Sequence, residues 1–274
     1  MPANKEGFTK AKDGTQIFYK YILVDKPKAS VFIVHGLGEH SGRYVNVINT
    51  LKDYNLFLLD LRGHGKSGGK RGHVMNFDEY LDDVDVLKNE VKDLIQGKTF
   101  ILGHSMGGLI VLRYAIYRPE GLSGVVSSGP LLGVNVKVPK AKEMIGKLIA
   151  NIVPGLSMNN EIDTNKLSHD KAVVEAYNND PLVHAKISAK WYIEMVKAME
   201  DTNANAGKLY IPCLIMHGSD DALTNPNSSR EFFEKVGAKD KTYKLYNGYY
   251  HEIFNEIEKQ KPLSDMLEWL NSRA

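Results

Sequence analysis

One pentapeptide in this sequence has the makings of a nucleophile. Gly103-His104-Ser105-Met106-Gly107 fits G-x-S-x-G, in which a serine sits on a tight strand-to-helix turn and the glycines leave room for it. The bare pattern is weak evidence, but its setting is specific. A strand-like apolar run at residues 99–102 precedes it and an apolar helix-forming run at 109–117 follows it. A serine hydroxyl attacks a carbonyl only when a base takes its proton and a third group holds that base. With this elbow the chain order is serine, acid, histidine. Of the nine histidines, His169, His184, His217 and His251 follow Ser105. The first two fall in a segment without strand pattern, and His217 ends a strand-like run ahead of the acids. His251, between the run at 242–246 and the last helical stretch, is the expected base. Asp220 and Asp221 both follow the run at 213–216, and spacing alone does not separate them.

Acyl chemistry also needs donors aimed at the tetrahedral oxyanion. The residue after the nucleophile supplies one backbone N–H, here Met106. The loop after the third core strand supplies the other, and His35-Gly36-Leu37-Gly38 stands there, which points to the Leu37 N–H.

Two further patterns are decoys. Gly63-His64-Gly65-Lys66-Ser67-Gly68 satisfies G-x-G-x-x-G, and Asp83 lies 20 residues beyond its first glycine. A dinucleotide site needs the last glycine to open a helix facing pyrophosphate; here Gly69-Lys70-Arg71-Gly72-His73 follows, a loop. A P-loop would need glycine at position 60, which is Asp60. His35, His40, His64 and His73 lack the spacing of metal ligands and have no neighbouring cysteine, so neither a metal nor a cofactor is expected.

The elements that must hold these residues follow an alternating rhythm. Apolar runs at 31–34, 57–59, 99–102, 125–126 and 213–216 show no polar alternation, the pattern of strands covered on both faces of a mostly parallel sheet. Helical patterns intervene at 42–52, 77–96, 106–118, 226–236 and 255–271, and alternating segments near 7–11 and 16–23 predict an antiparallel hairpin at the start. From about 131 to 208 no strand pattern is evident. Two helical stripes stand there instead: Met144, Ile145, Leu148, Ile149 and Ile152, then Ile187, Trp191, Met195 and Met199. The reading is a helical cap at 131–207 inserted between core parts at 1–130 and 208–274. The stripes suit either an acyl tunnel or plain packing of the cap.

With 35 basic and 33 acidic side chains the net charge is +2, which gives no electrostatic reason to expect nucleic acid as a partner. The first residues lack the apolar stretch of a signal peptide and no run is long enough to span a bilayer. The single cysteine, Cys213, cannot form an intramolecular disulfide and lies in an apolar run. A cytoplasmic protein is expected, peripheral to the membrane where its cap makes transient surface contact.

Four segments carry a family resemblance. His35-Gly36-Leu37-Gly38-Glu39-His40-Ser41-Gly42-Arg43-Tyr44, Asp60-Leu61-Arg62-Gly63-His64-Gly65-Lys66-Ser67, Gly103-His104-Ser105-Met106-Gly107-Gly108 and Tyr177-Asn178-Asn179-Asp180-Pro181-Leu182 together resemble monoacylglycerol lipases and the related lysophospholipase-like serine hydrolases of the α/β-hydrolase superfamily. The likeness runs from about residue 30 to the C-terminus. It implies the α/β-hydrolase fold with an inserted helical cap, and hydrolysis of a small lipid ester, monoacylglycerol, through an acyl-enzyme and without a cofactor. The family's G-S-x-D pattern falls on Gly218-Ser219-Asp220-Asp221, which makes Asp221 the acid, and its histidine matches His251. Arg43 and Tyr177 match an arginine and a cap tyrosine near the glycerol end. The animal enzymes carry a second histidine three places after the first; here that residue is Phe254. The same triad would serve a lysophospholipase, a broad carboxylesterase or acyl transfer to another alcohol. A peptidase would need acids placed to hold a free amine; Glu161, Asp163 and Glu175 lie in the cap, but nothing in the sequence shows that they converge, and a non-catalytic binding scaffold would be expected to lack a triad member.

Overall fold

A computed structural model describes residues 3–134 and 152–274. The chain opens with β1 (Ala3–Lys10) and β2 (Gln16–Leu23), paired antiparallel as the alternation predicts. The central strands are β3 (Ser30–Val34), β4 (Asn55–Leu59), β5 (Thr99–His104) and β6 (Gly124–Ser128). Two short strands, β7 (Ser157–Asn159) and β8 (Lys186–Ser188), pair antiparallel apart from the main sheet, and β9 (Cys213–Gly218) and β10 (Lys241–Tyr246) complete it. The main sheet runs β1-β2-β4-β3-β5-β6-β9-β10, parallel from β4 to β10.

The apolar runs make sense once both faces are followed. Successive strand residues point to opposite faces. Phe32, Val34, Phe57, Leu59, Ile101, Val125 and Ile215 face one core. Val31, Ile33, Leu56, Leu58, Phe100, Leu102, Val126 and Leu214 face the other. Helices α1 (Val45–Thr50) and α7 (Gln260–Asn271) cover the second face with Val47, Leu263, Met266 and Trp269. Helices α2 (Glu79–Glu90), α3 (Met106–Tyr117), α5 (Ala189–Ala204) and α6 (Pro226–Lys235) cover the first with Val84, Leu109, Trp191 and Phe232. Helix α4 (Lys171–Asn179) lies in the segment between β6 and β9.

Some expected elements are shorter than their patterns. The stretch at 42–52 splits into a 3-10 turn at Ser41–Arg43 and α1, because Tyr44 turns in to bond Glu39. The stretch at 77–96 likewise ends α2 at Glu90 before a 3-10 turn. In the segment at 131–207, β7 and β8 are strands that the pattern misses, since three residues give no readable periodicity. Ile187 lies in β8, ahead of the helix that continues its stripe. That stripe packs: Ile187, Trp191 and Met195 belong to the main core and Met199 rests against it. The other stripe lies outside the described residues apart from Ile152, which is exposed.

Polar ties join residues 180–188 of this segment to the loops that follow β3 and β4. The His40 ring bonds Asp180 at 2.8 Å, the His184 N–H donates to the Gly38 carbonyl at 2.9 Å, and the Ser188 N–H donates to that of Gly72 at 2.8 Å. Since β3 has β4 on one side and β5 on the other, the order reverses there, and the crevice at such a reversal is where open α/β sheets hold their ligands.

Candidate active site

Ser105 lies between β5 and α3 with φ 56° and ψ −119°, a strained left-handed backbone for a residue with a side chain. The strain is held from several sides. The Ser105 N–H donates to the Ser128 carbonyl at 2.9 Å, and its own carbonyl accepts from Leu109 and Leu131. A Cβ on Gly103 would run into the Gly107 carbonyl, and one on Gly107 into the carbonyls of Val34 and His35. Both glycines are therefore required for helix and strand to approach this closely. Ser105 itself is only partly buried, whereas its neighbours are closed off. Met106 opens α3, where the first N–H groups have no partner within the helix.

The two aspartates separate at once. Asp220 is exposed and accepts from the Ser219 hydroxyl. Asp221 is buried, and its Oδ2 lies 2.7 Å from His251 Nδ1, 3.0 Å from His217 Nε2 and 2.8 Å from the Thr224 hydroxyl. Its Oδ1 accepts the N–H groups of Leu223 and Thr224. Burial opposes ionisation of Asp221, but the two histidines outweigh it and hold the carboxyl far below the usual range. For His251, burial favours the neutral ring; the Asp221 charge and hydrogen bond reverse this and raise its pKa. The His251 ring packs 4.6 Å from that of His104, the residue before Ser105. Burial, then the nearby His251 charge, press the His104 pKa down to about 4.

The loop after β3 carries Leu37 beside the elbow. Among residues 31–40 it is the one not buried. The Gly36 N–H donates to Glu39 Oε1 at 2.6 Å, and the Tyr44 hydroxyl donates to the same oxygen at 2.9 Å. Arg43 donates to Glu39 Oε2 at 2.6 Å and reaches both carboxylate oxygens of Glu252 at 2.7 and 2.8 Å. Its guanidinium also lies 4.6 Å from the centre of the Tyr177 ring. Arg43 and Tyr177 are thus brought together, but the guanidinium is engaged by protein carboxylates. Burial raises the cost of the Glu39 charge, yet Arg43 holds its pKa down at about 2. A small cleft is lined by Glu39, Arg43, Tyr44, His104, Glu252 and Phe254.

Sequence reasoning passed over His217, Glu39 and Glu252. His217 carried a signal only as a histidine at the end of a strand. Glu39 and Arg43 stand at i, i+4, the one local hint of their pairing, and Glu252 adjoins His251. Glu161, Asp163 and Glu175 are exposed, and Asp163 caps its own turn. Among the described residues no group of three or more His, Cys, Asp or Glu is placed to hold a metal. Instead His40 bonds Asp180, His64 the Arg62 carbonyl and His73 the Ser188 hydroxyl. Gly68 is followed by a loop, not a helix.

Residues 25–258 match the family described as serine aminopeptidase, S33. The chain is 34% identical over 242 residues to the phospholipase YtpA of Bacillus subtilis, covering 86% of this chain and 92% of that one. It is 35% identical over 251 residues to human monoglyceride lipase, covering 89% and 82%. The crystal structure of Paleococcus ferrophilus monoacylglycerol lipase superposes with a TM-score of 0.84 at 36% identity, covering all of both chains.

Proposed function

The chain belongs to the serine aminopeptidase S33 family, and on that footing we propose that it is a serine carboxyl-ester hydrolase cleaving monoacylglycerols to fatty acid and glycerol. The observation that carries this reading is the 2.7 Å Asp221–His251 pair at the same end of the sheet as Ser105 on its strained turn. Ser105 Oγ attacks the acyl carbonyl while His251 takes its proton, and Asp221 orients the imidazolium and stabilises it. The Leu37 and Met106 N–H groups receive the oxyanion. His251 then returns the proton to the departing glycerol oxygen, and a water activated by the same ring releases the fatty acid.

The engaged Arg43 and the apolar Phe254 bear on how the polar end is read: neither offers a free cation to a phosphate. That favours a neutral glycerol over a phosphorylated head group. The exposed carboxylates of Glu161, Asp163 and Glu175 give no support to capture of a peptide amine. The segment at 131–207 is read as the cap over the site. Its exposed Ile152, Val153, Leu156 and Met158 suit transient contact with a lipid surface, and no helix among the described residues is long and apolar enough to cross a membrane.

The test is hydrolysis of a panel of monoacylglycerols, lysophospholipids and simple esters by the protein and by Ser105→Ala. Monoacylglycerols are expected to be cleaved fastest, and the substitution to remove about 10^4-fold or more of kcat. Faster release from lysophosphatidylcholine would move the assignment to the phospholipase side, where the Bacillus relative stands. Full activity in the variant would end the mechanism.

A further inference from the structure

We infer that His35 is the positioning residue that aims the Leu37 N–H at the oxyanion. The inference rests on the ester-hydrolase reading above and adds to it the group that sets the geometry of the donor.

The Leu61 N–H can only donate, and it lies 2.9 Å from His35 Nε2, so that nitrogen presents its lone pair. The ring is fully buried, and burial lowers its pKa, which keeps it neutral. A neutral imidazole has one proton, and Nε2 is the acceptor, so the proton is on Nδ1. Nδ1 lies 2.7 Å from the Gly36 carbonyl oxygen and therefore donates to it. The Gly36 carbonyl and the Leu37 N–H are opposite ends of one planar trans peptide. Fixing the carbonyl on one side fixes where the N–H points on the other.

The neighbouring peptide is held as well, through the Gly36 N–H on Glu39. A Cβ at Gly36 would stand 3.2 Å from Ser105 Cβ, so this stretch of backbone passes directly against the expected nucleophile. His35 is gripped in turn by the loop at 60–67. Leu61 holds its ring, and Asp60 accepts the N–H groups of Ser41 and Lys66 at 2.8 Å each. That loop, which imitates a dinucleotide motif, thereby fastens the oxyanion loop at its beginning and at its end.

Two substitutions separate positioning from mere packing. In His35→Asn the amide nitrogen falls near the place of Nδ1 and can still donate to Gly36. In His35→Gln the amide falls near Nε2 and can meet Leu61 but leaves Gly36 without its donor. Kinetics on a monoacylglycerol are paired with inhibition by an acyl trifluoromethyl ketone, which binds as an oxyanion-bearing adduct. Losing one oxyanion donor costs about 10²–10³ in kcat, so misdirecting one is expected to cost His35→Gln about 10–100-fold. KM should stay within about threefold, because the contact exists only in the transition state. Inhibition should weaken by the same factor as kcat, and His35→Asn should retain most of both. The inference is overturned if Gln performs as well as Asn, or if kcat falls while the ketone binds undiminished. A wild-type protein without esterase activity overturns the functional reading along with it.

Discussion

Replacing Arg43 by methionine tests whether this side chain is a strut or a substrate ligand. The guanidinium makes three charge-assisted bonds of 2.6, 2.7 and 2.8 Å to two carboxylates, each only 4% exposed. Removing one partner of a buried pair costs about 3–5 kcal/mol, because the other charge stays behind in low dielectric. Here two carboxylates stay behind, so the upper part of that range is expected at pH 7.5 by urea unfolding. The loss should also depend on pH. In the wild-type protein Glu39 has a folded pKa of about 2, below the unfolded value of about 4.3. It is ionised in both states from pH 7.5 to 5, and its contribution is constant there; it starts to be lost as pH falls below the unfolded value and is gone once pH has fallen through about 2. In the variant a buried carboxylate without its cation has its folded pKa raised above 4.3. The folded state then binds the extra proton, and stability rises as pH falls. At about 1.4 kcal/mol per unit of pKa displacement, each unit by which the variant's pKa rises above the unfolded value returns that much of the deficit as pH falls. Kinetically a strut predicts a fall in kcat with modest change in KM. A loss under about 1 kcal/mol, with KM up tenfold or more, would instead make Arg43 a substrate ligand.

Asp221→Asn should lower kcat by about 10^4-fold while leaving the protein folded. In the wild-type protein the raised His251 pKa means that kcat/KM falls with falling pH, because the base is protonated below it; the midpoint should lie above the ordinary histidine value of about 6.5. Removing the Asp221 charge should move that midpoint down, and an unmoved midpoint would separate the acid from the base. Gly107→Ala places a Cβ against two backbone carbonyls that cannot swing aside. It should cost about 2 kcal/mol or more in thermal unfolding, as overpacking does, and lower kcat by parting Ser105 from the loop after β3. An alanine variant as stable and active as wild type would show that the elbow has slack.

What could be read from the sequence divides along physical lines. β3, β4 and β5 were legible because both faces of each strand are buried, so the chain had to be apolar without interruption. β7 and β8 were not, because three residues in a partly exposed antiparallel pair need no such run. The nucleophile was legible because the elbow is local: strain, two glycines and a strand end all fall within five residues. The acid was not, since Asp220 and Asp221 differ only in burial, which adjacent residues do not encode; the family pattern was needed. Arg43 was found by resemblance, but its partner Glu252 lies 209 residues away, a separation at which an ion pair leaves no trace in spacing. The loop at 60–67 misled for the opposite reason. Its glycines serve turns and close approach, and a motif search reads only their spacing.

The missed residues share a consequence for the chemistry. Among the described residues, the buried acids Asp221, Glu39 and Glu252 stand around His251, with the partly exposed Arg43 as the cation paired to two of them. The cluster therefore carries an excess of negative charge before any proton moves. Proton transfer from Ser105 places a positive charge on His251, so the surroundings are already arranged for the state that forms, with little reorganisation needed. The same field would protonate the neighbouring ring of His104 and oppose that change. Burial prevents it by holding the His104 pKa near 4. One imidazole is thus prepared to be charged and the one 4.6 Å away is kept neutral, which explains why only one of the two adjoining histidines needs a carboxylate.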